Sequence, residues 1–148
     1  MTNRPVLICY DDTPEAQRAV ETAAALFGPR SAVVLNVGSV LTVSESIAVS
    51  EATVSVSEFM ALNESSAKEI ADTGAERALE LGFEATSRSL LGEPTWQSIN
   101  DVAADIDAWV IVMGTRGLHG AKEFFEGSVS HGVAQHASCP VLVVPPEA

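Results

Sequence analysis

The chain has 148 residues, 47% of them apolar, and a formal net charge of −12 from 20 acidic and 8 basic residues. That length fits one domain, residues 1–148, whose core needs no disulfide or metal, and the charge disfavours a sequence-independent grip on nucleic acid or an anionic membrane surface. No apolar run approaches the roughly 20 residues of a membrane span, and Met1-Thr2-Asn3-Arg4-Pro5 leads straight into a strand pattern, so a soluble, cytoplasmic protein is expected.

Val6–Tyr10 is a short apolar run, the first expected strand, and it ends at Asp11-Asp12-Thr13. Thr13 and Pro14 then read as a helix cap followed by proline at the first helical position. Ala16, Ala19, Val20, Ala23, Ala24 and Phe27 recur at helical spacing until Gly28-Pro29 stops them. Ala32–Val37 is a second buried strand. Ser39–Ser57 mixes serine, threonine, valine and glutamate without a clean period and is expected to be a loop of functional interest, ahead of a helix from about Glu58 to Leu81. Phe83–Leu91 reads as a third strand with alternating character, and Ile99 through Ala104 belongs to a helix begun near Pro94 and Thr95. Trp109–Met113 and Val141–Val144 complete the strands. Runs that are apolar on both faces and separated by helices predict an α/β domain with an open, mostly parallel five-stranded sheet, helices on both faces and right-handed crossovers.

Between the fourth strand and the last helix, which runs from Ser128 to His136, lies Gly114-Thr115-Arg116-Gly117-Leu118-His119-Gly120-Ala121-Lys122-Glu123-Phe124-Phe125-Glu126-Gly127-Ser128. Glycine at a strand end lets a ligand approach the backbone, and the start of a helix offers unpaired N–H groups to an anion. The stretch therefore reads as a phosphate loop. It is neither a Walker loop, which needs Lys directly after its last glycine, nor the dinucleotide fingerprint with its closely spaced glycines. Turn geometry alone is the competing explanation of Gly114, Gly117 and Gly127.

Written as G-x2-G-x9-G-[ST], between that strand and that helix, the motif resembles the ATP-binding branch of the universal stress protein family. The opening Val6-Leu7-Ile8-Cys9-Tyr10-Asp11-Asp12-Thr13 and the closing Ala137-Ser138-Cys139-Pro140-Val141-Leu142-Val143-Val144-Pro145 are similar to the family's first and last strands, so the likeness covers essentially the whole chain. It implies the strand order 3-2-1-4-5, in which strands one and four are neighbours where the order reverses, the place where open parallel sheets bind ligands. It further implies a stress-related regulatory protein that binds ATP, or ADP or AMP, with slow and incidental hydrolysis, and a homodimer formed through Val141–Val144. Carried over by position, Cys9, Asp11 and the backbone near Val37 would meet the adenine. Met113, Gly114, Arg116, Gly117, Gly127, Ser128, Val129 and Ser130 would surround ribose and phosphates. The chain departs from the family in having only Lys122 as a basic residue within the x9 stretch, flanked by Glu123, and Glu126 directly before Gly127. A Mg²⁺ ion bridging Glu126 or Asp11 to phosphate oxygens would reconcile that acidity with binding.

Other chemistry is poorly supported. Asp11 has a second reading as a helix cap, a role also open to Asp12 and Thr13. Cys9 and Cys139 lie in or beside apolar strands and are expected to be buried free thiols. His131 and His136 are five apart rather than three or four, His119 lies in the loop, and solvated or interface roles fit all three better than metal binding; no protein metal site is assigned. No G-x-S-x-G elbow or Cys/His nucleophile signature is present. Trp96 and Trp109 read as core or interface aromatics, with no basic groove around them. Two competing functions remain: a dimeric interaction protein of the same fold without nucleotide, and a small adenylate-transferring or phosphohydrolytic enzyme.

Overall fold

The computed structural model describes residues 3–40, 51, 55–115 and 128–147. Strands β1 (Val6–Cys9), β2 (Ser31–Gly38), β3 (Glu84–Leu91), β4 (Val110–Gly114) and β5 (Val141–Val144) form one parallel sheet in the order β3-β2-β1-β4-β5. The described helices are α1 (Pro14–Phe27), α2 (Val56–Glu80), α3 (Thr95–Asp105) and α4 (Ser128–His136). The central strand β1 pairs Val6 with Ala32 on one side and with Val110 on the other. Its residues Val6, Leu7 and Ile8 are completely buried, because helices cover both faces of the sheet.

Alternation of side chains along β1 sends Val6, Ile8 and Tyr10 to the face covered by α1 and α2, and Leu7 to the face covered by α3 and α4. On the first face α2 packs through small residues, Ala67, Ala71, Gly74, Ala75 and Ala78. They bring its backbone so close that a Cβ on Gly74 would lie 2.6 Å from the Tyr10 ring and 2.8 Å from Val34. On the second face Ile99, Val102 and Ala103 of α3 and Val133 of α4 pack against Leu7, Leu35, Ile111 and Met113. Helices α3 and α4 are tied by the Trp96–His136 stack, with ring centroids 4.3 Å apart, and by Asn100 Nδ2 donating to the carbonyl of Val133 at 3.3 Å.

The expected elements appear within a residue or two of their positions, with local differences. Val56 and Ser57 belong to α2 rather than to a preceding loop, because Ser55 and Glu58 form a reciprocal capping box that starts the helix there. The expected loop is thereby shortened, and its positions 41–50 and 52–54 lie outside the described residues. Strand β3 does not alternate cleanly: it is a sheet edge, partly exposed along its length, so no single face dictates its pattern. Among the described residues no helix is long and apolar enough to cross a membrane.

Candidate functional site

A cavity of about 350 Å³ opens beyond the carboxyl ends of β1, β2 and β4, where the strand order reverses. Its size lies in the range of small-molecule sites. Cys9, Tyr10, Asp11 and Thr13 come from β1 and the turn after it, Glu15 and Ala16 from the first turn of α1, and Leu35, Asn36, Val37 and Ser39 from β2 and its end. The opposite wall is built from Thr95 and Ile99 of α3, Met113, Gly114 and Thr115 at the end of β4, and Val129 and Ser130 of α4.

Of the residues expected from the sequence, the fold therefore brings together Cys9, Asp11, Val37, Met113, Gly114, Val129 and Ser130. Ser128 is the first residue of α4. Arg116, Gly117 and Gly127 lie outside the described residues, as do His119, Lys122 and Glu126.

The two readings of Asp11 separate once the turn is seen. Thr13 is the cap of α1: its Oγ1 accepts from the N–H of Ala16 at 3.2 Å, and Pro14 opens the helix. Asp11 Oδ1 accepts from the Thr13 hydroxyl at 2.6 Å and its N–H at 3.3 Å, so Asp11 supports the cap without being it. Asp12 does not cap either. It adopts a left-handed φ of 64°, and its Oδ1 accepts from the Tyr10 hydroxyl at 3.0 Å.

Gly114 owes its identity to packing rather than to turn geometry, since its φ is not in the left-handed region. A Cβ there would stand 2.7 Å from the carbonyl oxygen of Glu15 and 2.9 Å from its carbonyl carbon. Only glycine lets the first turn of α1 lie so close to the end of β4. Gly132 plays the corresponding part in α4, where a Cβ would come within 2.5 Å of the Trp96 ring.

Electrostatically the described lining is acidic, with Asp11 and Glu15 and no lysine or arginine. Against them it sets hydroxyls, the Asn36 amide and the N-terminal end of α4, where the helix dipole favours negative charge. The Thr115 hydroxyl is buried and has no hydrogen-bond partner among the described residues, although its N–H is bound to Val144 at 3.1 Å. Cys9 is half-buried rather than buried, because it faces this cavity; desolvation, then the nearby Asp11 charge, pushes its thiol up to about 12. Cys139 is also free and half-buried, its thiol raised chiefly by desolvation.

Sequence reasoning missed Thr115, Thr95, Glu15 and Asn36. Asn36 carried a signal, an amide inside the apolar run Ala32–Val37. Thr115 directly follows Gly114 in the glycine motif, while Thr95 and Glu15 become neighbours only through the crossovers. His136 is exposed but stacked on Trp96, and Trp109 packs edge-on against Phe27 beneath the Arg30 guanidinium, so both tryptophans are packing residues.

The model of the universal stress protein family matches residues 2–145. The chain belongs to that family. This universal stress protein is 41% identical over 75 residues to the universal stress protein YxiE of Bacillus subtilis (strain 168), a match over 51% of this chain and 50% of that protein. It is 29% identical over 145 residues to a putative universal stress protein of Staphylococcus aureus (strain USA300), covering 97% of this chain and 85% of the relative. The similarity to YxiE thus spans only half of that relative's length. Among solved structures, the fold is similar to that of hypothetical protein MJ0577, with a TM-score of 0.78 and 23% identity over 100% of this chain and 99% of the other. A universal stress protein from Archaeoglobus fulgidus in complex with dAMP gives a TM-score of 0.62 at 22% identity, over 97% and 99%. A universal stress protein family protein from Arabidopsis thaliana with AMP bound gives 0.63 at 14%, over 98% and 93%. At these identities the likeness is one of fold.

Proposed function

We propose that this universal stress protein is a regulatory, stress-related protein of the ATP-binding branch whose cavity holds an adenine nucleotide. The observation that carries the reading is the convergence of Asp11 and Val37 with Gly114, Val129 and Ser130 on one cavity at the switch point of the sheet. Relatives of the same fold hold dAMP and AMP, which supports an adenine base over other ligands. The base lies toward Cys9, Asp11 and Val37; ribose and phosphates lie toward Met113, Gly114 and the start of α4 at Ser128, with Arg116, Gly117 and Gly127 completing that end. The Thr115 hydroxyl, which has no partner among the described residues, adds a donor there. Mg²⁺ would accompany the nucleotide, with Glu126 or Asp11 holding it, and would offset the negative charge around the phosphates.

Turnover is not the purpose of the site. Fast phosphoryl transfer needs a positioned water and concentrated positive charge, and the described lining supplies carboxylates instead. The protein acts in the cytoplasm as a homodimer joined along β5, an edge strand whose Val141, Leu142 and Val143 remain partly exposed in one chain.

ATP at 100 times its Kd stabilises a folded protein by about 2.7 kcal/mol, or roughly 8 °C in Tm at this length. Thermal melts with ATP, ADP and AMP, with and without Mg²⁺, and identification of any nucleotide released on denaturation test the reading. No shift at millimolar concentration and no released nucleotide would favour an interaction protein whose cavity holds no nucleotide.

A further inference from the structure

Asn36 is buried, 7% exposed, within the apolar run of β2, and the function above gives it no task. Its Nδ2 donates to the carbonyl of Tyr10 at 2.8 Å, and the Tyr10 N–H donates to the carbonyl of Leu35 at 2.9 Å. Both polar groups of the Tyr10 main chain are thus fastened to β2 one residue past the end of β1. The Tyr10 ring packs on the face of the sheet covered by α1 and α2, where Gly74 of α2 lies against it. Its hydroxyl accepts from Gln17 Nε2 of α1 and donates to Asp12 Oδ1. Burial first, then the hydrogen bond and charge of Asp12, raises this phenol to about 12, so it remains a donor at neutral pH. Asp12 in turn holds the uncommon left-handed conformation.

We propose that Asn36, Tyr10 and Asp12 form a brace that aims the Asp11 carboxylate and thereby sets selectivity for adenine over guanine. The proposal rests on the nucleotide reading of the cavity and deepens it. Asp11 stands between two residues that are both held: the Tyr10 main chain by β2, and Asp12 by the Tyr10 hydroxyl. Its own Oδ1 is turned back onto Thr13, which sets the plane of the carboxylate. Adenine presents an exocyclic amino donor where guanine presents a carbonyl acceptor. A carboxylate held in the right direction accepts from the first and repels the second, while one free to swing into solvent discriminates poorly. Asn36 and Tyr10 are positioning residues, acting through Asp11.

The experiment titrates ATP and GTP, each with Mg²⁺, against the full-length parent and the variants Asn36→Leu, Tyr10→Phe and Asp11→Asn, with a urea midpoint measured for each. Tyr10→Phe cuts the brace while keeping the ring against Gly74, and it keeps the test alive if Asn36→Leu does not fold. Selectivity for ATP over GTP in the parent is expected to fall about tenfold in both brace variants, as in Asp11→Asn, through weaker ATP binding. An unchanged ATP-to-GTP ratio with a lowered urea midpoint makes the brace purely structural and overturns the proposal. Loss of selectivity in Asn36→Leu but not in Tyr10→Phe overturns it in favour of a direct contact by Asn36. A parent that binds neither nucleotide overturns the functional reading itself, and the brace falls with it.

Discussion

Replacing Gly114 by alanine tests the closest approach in the site. The added methyl would meet main-chain atoms of Glu15 at 2.7 Å and 2.9 Å, and its Cβ at 3.1 Å. Real Cβ contacts of this kind lie beyond about 3.4 Å, the ordinary van der Waals range. No rotamer relieves the overlap, because the obstacle is the backbone of the first turn of α1. That turn must move by several tenths of an ångström, carrying Thr13, Glu15 and Ala16 of the cavity wall. Overpacking of this sort costs about 1–3 kcal/mol, and at roughly 3 °C per kcal/mol for this length the melting temperature should fall by about 3–9 °C. Because the displaced turn also supports Asp11 through Thr13, the stabilisation gained from saturating ATP should shrink as well. Scanning calorimetry with and without ATP measures both effects. A variant that melts within about 1 °C of the parent and gains as much from ATP would refute the packing explanation of Gly114 and leave turn geometry in its place.

Three further outcomes are expected. With its thiol near 12 instead of the ordinary 9.0, Cys9 holds about a thousandfold less thiolate at pH 8, so alkylation in the native protein should be slow and bound ATP should slow it further; labelling followed by mass spectrometry would contradict this if Cys9 reacted as fast as in urea. Hydrogen bonds from Lys68 and Ser87 hold Asp72 below the usual carboxylate range, so its contribution to stability is present above the ordinary value near 3.8 and is lost as pH falls through the lowered native one. Asp72→Asn should therefore be slightly less stable than the parent at neutral pH and equal to it in strong acid, as urea midpoints across the acid range would show. If the proposed homodimer forms along β5, the parent should scatter as a dimer and Val143→Asp, a charge placed on that partly exposed edge strand, as a monomer; equal masses for the two would overturn a contact through β5.

The sheet was legible because its strands are short apolar runs bounded by strong punctuation. Thr13-Pro14 and Gly28 start and stop α1 as the sequence suggests, the glycine at a left-handed φ of 66°. Segment 39–57 was harder to read, since the capping box that starts α2 is built from Ser55 and Glu58 in a stretch with no hydrophobic period. In the site, the residues carried by the glycine motif and the end of β1 were legible. Thr95 and Glu15 were not, because each is an ordinary first-turn helix residue until the crossovers set α3 and α1 beside the cavity. Gly114 was found through its spacing, but the reason it must be glycine lies in α1, about a hundred residues earlier in the chain.

The placement of β1 bears on how the chain is made. Val6, Leu7 and Ile8 form the middle of the sheet, yet their partners Val110, Ile111 and Val112 leave the ribosome only after most of the chain. Until then β1 can pair only with β2, and one side of a strand whose Val6, Leu7 and Ile8 end fully buried presents unpaired N–H and C=O groups to its surroundings. The nascent chain thus passes through an interval in which its future centre is an edge, at synthesis rates of about 5–20 residues per second. Pairing across so long a separation is slow to nucleate. The arrival of β4 both shields β1 and creates the crevice, so the half-made protein lacks the cavity at the switch point.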